Sequence, residues 1–413
     1  MDERKLLILD DDPMTGSTIG FIAESDGVES RATTSPTEFF EMLESWQPSH
    51  VALDLVMPEM DGVEVLVEMA RRESPARIII TSGVGSRVLD AAGRSATEHG
   101  LNIAGVLSKP FSPGELRGLL HREHGIPLPV EPESGPAPAA GQVDDQPARQ
   151  ELEAALDARG LDVCYQPKIL CATGQMAGFE ALVRWTSPTR GAMSPAEFIP
   201  LAESSGLISR LTEQVLEQAM GWFGQHFGET DRGADPDNLI TLSVNISARS
   251  LVDGAFVEQT QKRCHELGIQ PQQLIFELTE SSTMEDPVAS LDLLTRLRMK
   301  GFQLSIDDFG TGYSSMLQLV RLPFSEIKVD KSFVMSALQS EESRAVVRSV
   351  VELGHSLGLR TTAEGVEDAG MLEYLRSIHC SQAQGFHISP PVPGPRAWEW
   401  AQSNLADKGR LEV

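Results

Sequence analysis

Residues 305–312 read SIDDFGTG, an apolar run that ends in two adjacent carboxylates, Asp307 and Asp308. Neighbouring anions repel, and each is costly to desolvate unless a cation or a hydrogen-bond donor meets it. Other apolar runs end in the same manner. Asn245, Glu277, Lys328, Glu364 and Gln384 close or nearly close theirs, and counted through Asp307 the intervals are 32, 30, 21, 36 and 20 residues. An earlier run, MAGFEALVRW, adds Glu180 and Arg184. Glu180, Asn245, Glu277, Asp307 and Asp308 are all oxygen donors, with no His or Cys in a comparable place, which favours a hard cation such as Mg2+ or Mn2+ over zinc. Carboxylates around divalent metal, with Lys328 and Arg184 as fixed cations, suit an anionic substrate attacked by an activated water. Phosphodiester hydrolysis assisted by two metals is the obvious instance. Glu364, outside the densest cluster, is a candidate acceptor for the water's proton. Each residue alone has a plainer reading: an Asp as helix cap or turn former, an Asn in a turn, a surface Lys, a Gln satisfying backbone. GTG by itself lacks the surroundings of a phosphate-binding loop. The joint pattern carries the chemistry.

For these groups to meet, the elements that bear them must converge. ITLSVNIS, LIFELTE, FQLSIDD, EIKVD, RTTAEGV and CSQAQGF read as strands separated by helix-like stretches such as SLDLLTRLRMKG and SRAVVRSVVELGHSL. If eight parallel strands close into a barrel, their C-terminal ends share one rim, where barrel active sites lie. Side chains of a regular strand alternate between faces. Asp307 and Asp308 therefore both reach the rim only if the strand ends at about Asp308 and the chain turns, which the following GTG allows.

The first part of the chain alternates LLILD, HVALDLV, RIIITS and IAGVLS with helix-like segments such as PTEFFEMLESW, the pattern of a small parallel α/β sheet. Asp10, Asp11, Asp54, Ser82 and Lys109 stand at its strand ends, which a doubly wound sheet gathers at one crevice. Carboxylates with a lysine and a hydroxyl form a Mg2+-assisted site for taking a phosphoryl group on an aspartate. The plainer alternative is that DDDP caps a helix and Asp54 opens a turn. Between the two parts, Ile126–Gln150 carries six prolines and little to bury, so it reads as a semi-extended spacer. At its end Asp144 or Asp145 could cap a helix whose first turn holds Pro147 and whose one face carries Leu152 and Leu156. The expected division is 1–125, a linker at 126–150, and 151–413.

Length supports two cores, since the chain has 413 residues. A formal charge of -26 argues against binding nucleic-acid polymers or anionic membrane through a basic surface. Cys164, Cys171, Cys264 and Cys380 show neither a CxxC pair nor a His at zinc-finger spacing, which argues against a metal knot or a disulfide framework and fits a reducing cytosol. No run approaches the roughly 18 apolar residues of a membrane span, and MDERKLLILD lacks a signal-type apolar region. The expectation is a cytoplasmic protein without membrane insertion.

The motifs FEALVRW, LSVNIS, FELTES, IDDFGTGYSS, LPFSEIKVDKSFV, TTAEGVE and QGF, in this order, closely resemble the EAL family of cyclic di-GMP phosphodiesterases over roughly residues 150–405. The resemblance implies a (β/α)8 TIM-barrel-like domain that hydrolyses cyclic di-GMP to linear pGpG with two Mg2+ or Mn2+ ions. It implies that Glu180, Asn245, Glu277 and Asp307 ligate metal, that Asp308 assists a second ion, that Lys328 sits by the attacking water, and that Glu364 is general base or metal ligand. Arg184 and Gln384 would contact substrate, with Gln166 of YQP and Leu182 beside them. Glu280 would anchor the DFGTGYSS loop. The chain departs from the family at GETDRGADPD, which looks like an insertion, and at FHISPPVP, which lacks the family's basic residue before proline. Neither touches a residue assigned to chemistry.

The first part, about residues 4–124 with the phrase DLVMPEMDG, is similar to the receiver domain of bacterial response regulators, a flavodoxin-like doubly wound fold. The resemblance implies that Asp54 is the phosphoacceptor for a sensor histidine kinase, that Asp10 and Asp11 hold Mg2+ with Asp12 a weaker third acid, and that Ser82 and Lys109 sense the phosphoryl group. Lys109–Pro110 is a candidate cis bond. Val106 stands where receivers commonly carry a switching Tyr or Phe. Homo-oligomerisation follows by analogy. A transcription factor lacks support because no helix-turn-helix or basic segment follows the receiver. The remaining alternatives are an enzyme regulated through Asp54 and a module that binds cyclic di-GMP without turnover; the intact carboxylates favour the enzyme.

Overall fold

The computed structural model describes residues 4–58, 60–121, 146–228, 239–247, 255–279, 287–309 and 319–408. The chain divides into two compact units: Met1–Pro138 with Asp286–Met299 and Arg321–Pro323, and the remainder.

In the first unit the strands are β1 (Lys5–Leu9), β2 (Glu29–Thr33), β3 (His50–Asp54), β4 (Arg77–Ser82) and β5 (Asn102–Ser108). Their order is β2-β1-β3-β4-β5, all parallel: the parallel sheet expected from the alternation, in the flavodoxin-like doubly wound order that the receiver resemblance implies. Strand alternation splits the core: Leu7, Leu9, Val51, Leu53, Ile78 and Ile80 pack on one face, Leu6, Ile8, Ala52 and Ile79 on the other. Helix starts are locally encoded. Asp12 caps Pro13–Glu24, Ser35 caps Pro36–Trp46, and reciprocal bonds between Asp61 and Glu64 cap Gly62–Arg71. Helix Pro287–Met299 belongs to this unit as well. Its Arg296 guanidinium lies 2.8 Å from Asp61 Oδ2 and 2.8 Å from Glu64 Oε1, and its Asp292 accepts from Ser95 and from His99.

The second unit is a closed barrel of β6 (Asp162–Leu170), β7 (Met176–Ser187), β9 (Thr241–Asn245), β10 (Leu274–Thr279), β11 (Gln303–Phe309), β12 (Glu326–Val329), β13 (Arg360–Ala363) and β14 (Gln382–Gln384). Two short strands, β8 (Gly191–Met193) and β15 (Val392–Pro393), are appended, and the pairing of β6 with β7 closes the ring. One feature differs from eight parallel strands. β6 runs antiparallel to both β7 and β14. The physical reason is the connection: only residues 171–175 separate β6 from β7, enough for a hairpin and far too few for a parallel crossover. Helix Gln146–Asp157 precedes the barrel, with Pro147 in its first turn and Leu152 and Leu156 buried.

Candidate active site and phosphoacceptor crevice

The barrel's functional side chains come from successive strand ends. Glu180 on β7 accepts from Asn245 Nδ2 at the end of β9 (2.8 Å) and from Gln384 Nε2 at the end of β14 (2.6 Å). Gln384 Nε2 also donates to Gln166 Oε1 at 2.9 Å, which ties β6 into the same network. At the centre stands the fully buried Lys328 of β12. Its Nζ is 2.5 Å from Glu277 Oε2, 2.7 Å from Glu364 Oε1, 3.3 Å from Asp307 Oδ2 and 3.5 Å from Glu180 Oε2. Glu364, placed by sequence outside the densest cluster, is therefore inside it. It follows β13 directly, and its backbone N–H donates to Val329 O on the neighbouring strand.

Asp307 and Asp308 also differ from the sequence expectation in detail. β11 continues to Phe309, and its pairing with β12 shifts register between Ile306 and Phe309. Within that bulge Asp308 takes a left-handed φ of 54°, so strand alternation is broken where it would have separated the two side chains. Carboxylate oxygens of Asp307, Asp308 and Glu364 come within 4.8 Å of one another.

Crowded charge sets the titration of the cluster. Burial would raise Glu180, but Lys328, the bond from Gln384, Lys168 and the bond from Asn245 outweigh it and hold the carboxyl at about 2. Burial and the neighbouring Glu180 push Glu277 well above the usual carboxylate range. Burial lifts Glu364 to about 8 against the opposing pull of Lys328. Burial would lower Lys328, yet Asp307, Glu180, Glu277 and Glu364 carry it well above an ordinary lysine. Glu277 Oε1 is buried without a hydrogen-bond donor. An acceptor left in that state is costly. With four carboxylates around Lys328 and Asp308 beside Asp307 and Glu364, the donor set fits a hard divalent cation.

A cavity of about 760 Å³ opens over this cluster, lined among others by Leu182, Arg184, Met335 and Phe386. Arg184 shares a strand face with Glu180 and Leu182, and its guanidinium donates to Val183 O at 2.8 Å. Glu280 lies outside the described residues. Sequence reading missed Lys168, two residues beyond Gln166 on β6 and wholly buried. The period of two along YQPK was the available signal.

In the first unit, Lys109 Nζ bridges Asp10 Oδ2 at 2.8 Å and Asp54 Oδ2 at 3.0 Å. Burial raises the Asp54 carboxyl despite Lys109. Asp54 Oδ1 is buried with no hydrogen-bond donor, and Asp10, Asp11 and Asp54 can turn carboxylate oxygens within 4.8 Å of one another. Asp12 is instead a helix cap, accepting from Met14 N and Thr15 Oγ1. Ser82 is buried at the end of β4, the Lys109–Pro110 bond is cis, and Val106 packs half-buried against the core.

A doubly wound sheet with an acidic crevice bridged by Lys109, followed by a barrel with a carboxylate rim, defines the class of two-part signalling proteins that join a receiver to a barrel output domain. More particularly, the chain belongs to the EAL family: the EAL domain matches residues 149–391, and the response regulator receiver domain matches residues 6–121. The cyclic di-GMP phosphodiesterase RocR of Pseudomonas aeruginosa is 31% identical over 95% of this chain and 97% of its own length. The bifunctional diguanylate cyclase/cyclic di-GMP phosphodiesterase MucR of the same organism is 40% identical over 59% of this chain and 35% of its own. The chain spans about a third of the length of several such curated relatives. A solved structure described as the PaMucR phosphodiesterase in complex with c-di-GMP covers 60% of this chain and 98% of its own, with 39% identity and a TM-score of 0.54. Among the described residues no helix is long and apolar enough to cross a membrane.

Proposed function

We propose that the barrel hydrolyses cyclic di-GMP to linear pGpG and that phosphorylation of Asp54 adjusts this activity. The observation that carries the reading is the meeting of Lys328 and Glu364 with Glu180, Glu277 and Asp307 beneath an open cavity. Glu180, Asn245, Glu277, Asp307 and Asp308 would hold Mg2+ or Mn2+, and such ions acidify a bound water and offset phosphate charge. Lys328 keeps a fixed positive charge beside the carboxylates, where it neutralises charge developing on the phosphate. Glu364, lifted by burial to about 8, takes the water's proton near neutral pH. Gln166, Gln384, Leu182 and Arg184 orient the substrate.

In the receiver, Asp54 accepts the phosphoryl group from a sensor histidine kinase, Asp10 and Asp11 hold Mg2+, and Ser82 and Lys109 read the phosphorylated state. Support for coupling comes from helix Pro287–Met299. Its Arg296 pairs with Asp61, seven residues after Asp54, and β11, which carries Asp307 and Asp308, begins four residues beyond its end. The working picture is a cytoplasmic homo-oligomer divided along the sequence at 1–125, 126–150 and 151–413, with Asp286–Met299 and Arg321–Pro323 grouped with the first unit. The test is turnover of cyclic di-GMP by the full chain with Mg2+ or Mn2+, following pGpG by nucleotide chromatography, with and without acetyl phosphate. Production of pGpG that vanishes in Glu180→Ala, and a rate that responds to acetyl phosphate only while Asp54 is intact, supports the reading. Tight binding without hydrolysis replaces it with a cyclic di-GMP sensor.

A further inference from the structure

A second buried lysine stands below the rim. Lys168 lies on β6, opposite Gly178 of β7 and Gln384 of β14, with its side chain inside the barrel and no exposed surface. Its Nζ donates to Ser243 Oγ at 2.5 Å and lies 3.9 Å from Glu277 Oε1. Ser243 is two residues before Asn245 on β9, so it faces the interior one layer beneath the rim. Glu277 is thus approached by two cations: Lys328 on Oε2, and Lys168 on the Oε1 that has no hydrogen-bond donor. A buried ammonium is expensive unless it is paired, and the carboxylate nearest to this one is that of Glu277. The antiparallel course of β6 is what brings it here, because the residue enters from the strand that closes the ring.

We infer that Lys168 is a positioning residue for metal binding: from beneath the rim it holds the Glu277 carboxylate in the orientation that presents Oε1 to a cation. This inference rests on the metal-assisted reading of the same site. Partners behind a ligating carboxylate typically set metal affinity or activity by roughly 10–100-fold. A lysine that serves only as counter-charge would act in the opposite sense, since a cation 3.9 Å from a ligand oxygen repels an incoming metal and its removal would tighten binding.

The experiment is Mn2+ titration of the metal-free full-length chain, wild type and Lys168→Met, by calorimetry and by the electron paramagnetic resonance of free Mn2+, with kcat and KM measured alongside. The expected result is Mn2+ binding weakened roughly 10–100-fold and a fall in kcat with little change in KM. Unchanged or tighter Mn2+ binding in a folded variant overturns the inference. If Lys168→Met does not fold, Ser243→Ala carries the test, because it removes the hydroxyl that receives the lysine's hydrogen bond. Weakening by about threefold or more supports the inference, and an unchanged affinity overturns it. A wild-type chain that binds no Mn2+ would remove the metal-assisted reading itself, and so that failure is distinguishable from this one.

Discussion

Replacing Lys328 with Met tests whether the rim is held by this one cation. The substitution keeps most of the buried volume and removes the charge that lies 2.5 Å from Glu277, 2.7 Å from Glu364, 3.3 Å from Asp307 and 3.5 Å from Glu180. Removing one partner of a buried pair costs about 3–5 kcal/mol. Each kcal/mol lowers the midpoint of a domain this size by about 2–4 °C, so the barrel transition falls by roughly 6–20 °C in metal-free buffer. The deficit depends on pH with a definite sign. Glu364 has its folded pKa, about 8, above its unfolded value, so its contribution is full at low pH and is lost as pH rises through 8. In the variant the carboxylates lose the cation that favours their ionised forms, and the gap to wild type widens between pH 6 and pH 9. Excess Mn2+ returns positive charge to the rim and narrows it. The assay is calorimetry of both proteins across that pH range, with chelator and with Mn2+. A variant that melts within about 2 °C of wild type at pH 8 without metal refutes the argument that Lys328 compensates the buried carboxylates.

Two further substitutions probe the same geometry. A Cβ on Gly178 would lie 2.2 Å from Thr241 O and 2.5 Å from its Oγ1, so Gly178→Ala forces β7 from β9 two residues before Glu180. The expected cost is about 1–3 kcal/mol or more, with weaker Mn2+ binding as Glu180 leaves Asn245; calorimetry and Mn2+ titration check both, and an unchanged melting point refutes the close approach. Glu364→Gln keeps the shape of a proton acceptor without its titration. Its kcat should fall roughly 10²–10⁴-fold and its pH–rate profile should lose the acidic limb, whereas a retained limb assigns that limb to another group.

Much of this protein was legible along the chain because the signals are local. Strand alternation, proline and acid at helix starts, and the acidic or amide residue that closes each apolar run depend on neighbours within a few positions, and the structure places Glu180, Asn245, Glu277, Asp307, Lys328 and Gln384 in one network as their spacing suggested, with Glu364 drawn further in than its place in the sequence suggested. The parallel sheet of the first unit likewise follows from alternating strands and helices, whereas its order, β2-β1-β3-β4-β5, is a tertiary outcome that alternation alone leaves open. What the tertiary structure decided are facts about distances between residues remote in sequence. The antiparallel β6 brings Lys168 under Glu277, a register shift against β12 turns Asp308 toward Asp307 and Glu364, and barrel closure puts Lys328 among four carboxylates from four other segments. Propensity acts on each segment separately and contains no term for these meetings. Closure of the ring supplies it, because strands remote in sequence become neighbours around one interior only when β6 pairs both with β7 and with β14.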